Sequence, residues 1–188
     1  MKKLLNLIML LAMLMSANVK AESTSNVLLY IQPVEYTNEV KLQYFSQEYW
    51  FAQGPIVEPI AIEKLGKMVG NVSMCEGNQT GKMLIWLQPR MFYNGQLQVF
   101  YGKITANVYT GVGKLVGTYV GEYTQHGSLG ILPAHWLKKD YAKAMDKVVA
   151  EMQADSQLQN LVNSAATGDT PCSMVTLLPV PKIRAMSF

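Results

Sequence analysis

The alternation of apolar and polar positions along the chain predicts a mixture of strands and amphipathic helices. Val27 to Ile31 is a short apolar run stopped by Pro33, the pattern of a buried strand. Val40 to Phe45 alternates imperfectly and predicts a second strand, while Tyr44 to Phe51 is dense in aromatics without a clear period. Gly54-Pro55 marks a turn. A helix is expected from Pro59 to Val69, since proline suits a first helical turn, Gly70 suits the position after the last, and Ala61, Leu65, Met68 and Val69 share one face.

The next stretch carries the clearest strand signal. Met83 to Leu87 is continuously apolar, and Asn94-Gly95 between Phe92-Tyr93 and Leu97-Gln98-Val99 predicts a tight hairpin. Gly111-Val112-Gly113 turns the chain again before Lys114 to Tyr123, so residues 83–123 read as a three-stranded antiparallel meander. Phe100, Ile104, Ala106 and Val108 share a parity and are expected to face the core. Leu97 and Val99 have the opposite parity, which predicts a bulge near Gly102, and Pro89 predicts an edge or a kink.

A long helix follows over Ala134 to Gln153, with Leu137, Tyr141, Met145, Val148 and Met152 spaced along one stripe. Asp155 is placed to cap a short continuation through Leu158, Leu161 and Val162. Met174 to Leu178 predicts an edge strand, and Pro179 and Pro181 an extended tail. The economical way to bury these stripes is an α+β fold: an antiparallel sheet, the meander plus one or two further strands, with helices packed on one face.

The first residues change the picture of where this fold works. Met1-Lys2-Lys3 is a short positive region, Leu4 to Met15 is apolar but for Asn6, and the stretch after it ends in a small residue at Ala21. That is the pattern of a cleavable secretory signal over residues 1–21, with Ala17 as a second candidate exit, and the apolar run is well short of the ~20 residues of a membrane-spanning helix. No later segment is apolar enough to span a bilayer. The remainder, 22–188, is expected to be a single domain located in the periplasm, or beyond it as an outer-membrane-associated or released protein.

Charge follows the same division. The whole chain carries 16 Lys and Arg against 13 Asp and Glu, but Lys2, Lys3 and Lys20 lie in the leader and no acid does, so the exported part is balanced. Its basicity therefore gives no support for nucleic-acid binding. Two cysteines are present, Cys75 and Cys172. In an oxidising compartment they are expected to pair, tying the carboxy-terminal segment to the body.

Candidate chemistry is sparse. His126 and His135 lack the spacing that sets two metal ligands on one helical face. His126-Gly127-Ser128-Leu129-Gly130 has histidine where a nucleophile elbow needs its first glycine. Gly111 to Gly117 has Val116 where the dinucleotide fingerprint needs glycine and Leu115 where a phosphate-binding loop needs Ser or Thr. No catalytic set, cofactor motif or metal site emerges. The candidate surface residues are Tyr49, Trp50 and Phe51 in the aromatic cluster, Tyr119 and Tyr123 among glycines in the last meander strand, and the row Lys139, Lys143, Lys147. The aromatics are equally at home in a strand core, and the lysines on a solvated helix face.

The hairpin Ile104–Val108 and Leu115–Tyr123, followed by Tyr141-x-x-x-Met145-x-x-Val148 and Asp155-x-x-Leu158-x-x-Leu161, resembles small Gram-negative envelope proteins of the YajG-like lipoprotein type and the amino-terminal domain of TolB, over about residues 100–162. Those lipoproteins carry a cysteine directly after the signal, where Ser16-Ala17 here is followed by Asn18, so a form without a lipid anchor is implied. The resemblance implies an envelope role without known catalysis and supplies no site residues. The expected function is a non-enzymatic envelope-associated binding or assembly factor whose partner is an envelope protein, a lipid or a glycan. The alternatives are a secreted hydrolase using Ser128 or His126, and an outer-membrane barrel ending at Phe188.

Overall fold

Residues 27–111, 113–164 and 170–179 are described in the computed structural model. The expected leader, Val112 of the second meander turn, and the tail with Pro181 and Phe188 lie outside the described residues. In chain order the elements are β1 (Val27–Ile31), α1 (Val34–Thr37), the hairpin β2 (Glu39–Tyr44) and β3 (Gln47–Ala52), α2 (Gly54–Val69), β4 (Val72–Met74) and β5 (Thr80–Gly81). The meander β6 (Met83–Asn94), β7 (Val99–Thr110) and β8 (Lys114–His126) follows. The chain then forms α3 (Pro133–Ala154), α4 (Ser156–Asn163), β9 (Thr170–Pro171) and a 3-10 helix, Cys172–Leu177.

The fold class is α+β, as expected. The main sheet has five strands in the order β4-β1-β6-β7-β8, beside the small sheets β2-β3 and β5-β9. The meander is antiparallel, but β1 runs parallel to both β4 and β6, so the sheet is mixed. Burial on two faces explains the unbroken apolar run of β1. Leu29 and Ile31 join the core under α2 and α3, whereas Leu28 packs with Leu84, Trp86, Cys172, Met174 and Leu178 on the opposite face. The β1–β6 pairing ends at Ile31 and Leu87. Beyond it β6 alternates, with Met91 and Tyr93 buried and Arg90 and Phe92 exposed. Pro89 falls in this second half, where no strand pairs with β6 on the β1 side, so its missing N–H costs no ladder bond.

Both helices on the core face follow from their stripes. Leu137, Tyr141, Met145, Val148 and Met152 of α3 are all buried, as is Leu65 of α2. Asp155 caps α4 as expected, its carboxylate accepting from the N–H groups of Gln157 and Leu158. The sheet is open, with β4 and β8 at its edges, which does not support a closed barrel among the described residues.

Four local expectations are corrected. α2 begins at Gly54, with Pro55 in its first turn and Pro59 inside it. The close approach of Gly54 to the Tyr36 ring, where a Cβ would stand 2.8 Å away, accounts for the glycine. The β6–β7 connection is a four-residue loop, Asn94 pairing with Val99, and its positive φ falls on Gln98 (50°) rather than on Gly95. The register shift lies at Val108/Tyr109 and not near Gly102. Leu97 belongs to the loop and is exposed, whereas Val99, the first residue of β7, is buried beside Phe100 despite its opposite parity. Met174 to Leu178 is not an edge strand: Cys172–Leu177 is a 3-10 helix lying across the second face, held there by the β5–β9 pairing and the disulfide. That disulfide, Cys75–Cys172, is formed with Cα atoms 5.4 Å apart.

Candidate functional site

The expected surface residues divide between core and solvent. Tyr49 and Phe51 face inward from β3 with ring centroids 6.1 Å apart, and Phe51 is buried. Trp50, between them, faces out under Lys41, 5.4 Å from the ring centroid. The period of two along a strand separates residues that a linear reading groups. Tyr119 is also buried, and its hydroxyl donates to Asp155 Oδ2 at 2.6 Å. Phe51 and Tyr119 are therefore core residues. The glycines beside Tyr119 are explained within the molecule: a Cβ at Gly121 would stand 1.9 Å from the Ala144 carbonyl oxygen, so the close approach is that of α3 itself. Tyr123 is half-buried beneath Lys147, and Lys139, Lys143 and Lys147 are exposed along α3.

The histidines and Ser128 are not assembled into a site. His126 ends β8, His135 lies in the first turn of α3 against Trp136, and Ser128 Oγ accepts the Gly130 N–H at 3.3 Å. Among the described residues no group of three or more His, Cys, Asp or Glu is placed to hold a metal ion.

A buried polar chain was invisible in the sequence because its members lie far apart there. Tyr141 Oη donates to Gln53 Oε1 at 2.6 Å, Gln53 Nε2 donates to Glu35 Oε2 at 2.7 Å, and Arg90 Nη1 donates to Glu35 Oε1 at 3.0 Å. It joins α3, the start of α2, α1 and β6, with its charged end at the surface. Asp140 lies next to Tyr141, fully buried, with neither carboxyl oxygen in a hydrogen bond of normal geometry. Burial pushes its carboxyl up to about 7, and the Gly102 backbone offsets part of the rise. Burial likewise raises the Tyr141 phenol, with Glu35 and Asp140 adding to it and Arg90 opposing. The chain is satisfied link by link and ties four elements together.

The unpartnered surface lies at one end of the molecule, where three loops meet. The β2–β3 turn touches the β6–β7 loop through Gln98 Nε2, which donates to Tyr44 Oη at 3.4 Å. The loop after β8 joins them through Gly127 N–H to Gln98 O (2.9 Å) and Tyr93 Oη to Gly127 O (3.1 Å). A Cβ on Gly130 would sit within 2.8 Å of the Gln47 side chain. These loops expose Phe45 (82%), Leu97 (59%), Ile131 (65%) and Leu132 (70%). They also hold the non-glycine residues with positive φ among those described: Phe45 at 50°, Gln98 at 50° and Leu132 at 49°. Leu129 is buried beneath the third loop, and the Trp136 indole N–H ties it down by donating to Ile131 O at 2.9 Å. The sequence signal for this end was available, since Phe45, Leu97, Ile131 and Leu132 are large apolar residues at turns. Nothing in the linear chain says that those turns adjoin.

No protein-family model matches this chain, and no curated protein matches it. Among solved structures, it is similar to the crystal structure of a "putative lipoprotein" from Caulobacter crescentus, at 13% identity and a TM-score of 0.34, over 59% of this chain and 84% of that one.

Proposed function

We propose that this is an exported cell-envelope protein that acts by docking rather than by catalysis, through the apolar end built by its three adjoining loops. The observation that carries the reading is the coincidence of strain and exposure there. Left-handed backbone costs a non-glycine residue about 1 kcal/mol or more, and exposed large apolar groups gain nothing from folding. Phe45 and Leu132 combine both, in loops that otherwise are well tied. Polar or glycine residues would serve the fold better at both positions, so their presence is best explained by something they contact.

The signal pattern over residues 1–21 supports export, and the Cys75–Cys172 bond fits an oxidising compartment. The resemblance to YajG-like lipoproteins points to the same compartment, with Asn18 in place of an anchoring cysteine supporting a form without a lipid anchor. Of the residues singled out in the sequence, Lys139 borders the docking end, while Lys143 and Lys147 extend along α3 away from it. The hydrolase alternative finds less support, because Ser128 is engaged by its own turn.

Cell fractionation with intact-mass measurement tests the reading. The expected result is a chain beginning at Glu22, lacking two hydrogens relative to the reduced form, in the envelope fraction. Its association with that fraction should fall when Phe45 and Leu132 are replaced by asparagine. A full-length chain in the cytosol, or association indifferent to those replacements, would overturn it.

A further inference from the structure

We infer that the occupant of this end is the surface of an anionic phospholipid bilayer, into whose headgroup region the loop tips insert; the inference rests on the docking reading above and names its target. Charge distribution is the reason. Residues 42–47, 91–102 and 124–137, which build the three loops, contain no Asp, Glu, Lys or Arg. The cations at their borders that are not ion-paired are Lys138 and Lys139, which follow the third loop on the first turns of α3; Arg90 and Lys103, which flank the second, are paired with Glu35 and Glu122. Of the acids nearby, Glu48 is ion-paired with Lys41, and Glu122 with Lys103. An uncharged apolar tip bordered by a pair of lysines is how a protein seats itself in a leaflet of anionic lipid, the tips entering the acyl boundary and the lysines meeting phosphates.

The shape argues for the same target. A protein partner is gripped by a core of buried anchors in a complementary pocket. Here the apolar groups stand on separate loop tips, the form suited to a soft surface that closes around each tip. Trp136 and Tyr44 lie just behind those tips, where indole and phenol rings favour the headgroup level. Lys139, 5.5 Å from the Trp136 ring centroid, brings its ammonium to that same level. No helix among the described residues is long and apolar enough to cross a membrane, so the contact proposed is with one leaflet.

The test is sedimentation of the disulfide-bonded, leader-free protein with phosphatidylethanolamine–phosphatidylglycerol vesicles and, in parallel, with phosphatidylcholine vesicles. Binding is expected to the first and to be weak to the second. Phe45→Asn and Leu132→Asn should each reduce binding about tenfold, from the loss of one inserted side chain. Both substitute a residue that tolerates left-handed backbone, so Tm should stay level or rise, which a merely structural role for these side chains would not produce. Lys138→Gln with Lys139→Gln should weaken binding to the anionic vesicles several-fold, and added salt should do the same. Absence of binding by the unmodified protein, or equal binding by the double asparagine variant, overturns the lipid assignment. Should the vesicle result fail while the same variant still detaches from the envelope fraction in cells, the docking end stands and its target is a protein.

Discussion

Asp140 of α3 rests directly on Gly102 of β7: a Cβ built at position 102 would stand 2.3 Å from Asp140 Oδ2. A carboxyl is thus seated where the sheet has no side chain, inside the core and without a hydrogen bond of normal geometry. Gly102→Ala would put a methyl group into that space. The expected loss is about 1–3 kcal/mol, as for overpacking elsewhere. Asp140→Ala in the same molecule should recover most of it, and a double-mutant cycle in urea measures the coupling. Additive effects would mean that the two residues do not share the space.

The same carboxyl should make stability depend on pH. Its folded value, about 7, lies above the ordinary 3.8, so the native state keeps a proton that the unfolded chain releases. Stability from this group is therefore full below the unfolded value and declines as pH rises towards 7. Between about pH 5 and about pH 8 the decline should be about 2–3 kcal/mol, and Asp140→Asn should flatten it. Matching slopes for the two proteins in urea titrations would refute the assignment.

Gly121→Ala should be harsher than Gly102→Ala. The atom in its way is the Ala144 carbonyl oxygen, part of the backbone of α3, and no rotamer change can clear it. Relief requires the helix to move off β8, opening space beside Val148. A loss above about 3 kcal/mol, with a lowered Tm and near-ultraviolet signal, is expected. A variant as stable as the parent would show that α3 does not approach this closely.

Removal of the disulfide should loosen one region before the rest. The bond closes a separation of 97 residues and pins the 3-10 helix over Leu84 and Trp86. Cys75→Ser with Cys172→Ser is expected to cost about 2–5 kcal/mol. Hydrogen exchange should accelerate first at β5, β9 and Cys172–Leu177, with the meander following only on global unfolding. Uniform acceleration would mean that the segment is not an independent cover.

Tyr141→Phe removes the donor to Gln53 Oε1 deep under α3. Leaving that oxygen unsatisfied should cost about 1–3 kcal/mol while the apolar contacts of the ring remain. A neutral result in urea denaturation would show that the polar chain from Arg90 to Tyr141 contributes little to cohesion.

The chain by itself determined the elements whose signals are local. Period-two alternation with turn residues fixed the meander, the steps of Leu137 to Met152 fixed the long helix, and Asp155 was legible as its neighbour's cap. The cysteine pair was legible as well, because two cysteines leave a single pairing within the chain. Tertiary structure alone decided what depends on neighbours distant in sequence. Parallel pairing of β1 leaves no turn signature, so the mixed sheet was hidden. The 3-10 helix replaced an expected strand because the disulfide and the β5–β9 pairing hold that segment across a face rather than along an edge. Phe51 and Tyr119 went inside because sidedness is settled by which face the helices cover. The exposed apolar end exists only because three turns far apart in the chain meet, and adjacency in space is a property of the packed fold that no single turn can encode.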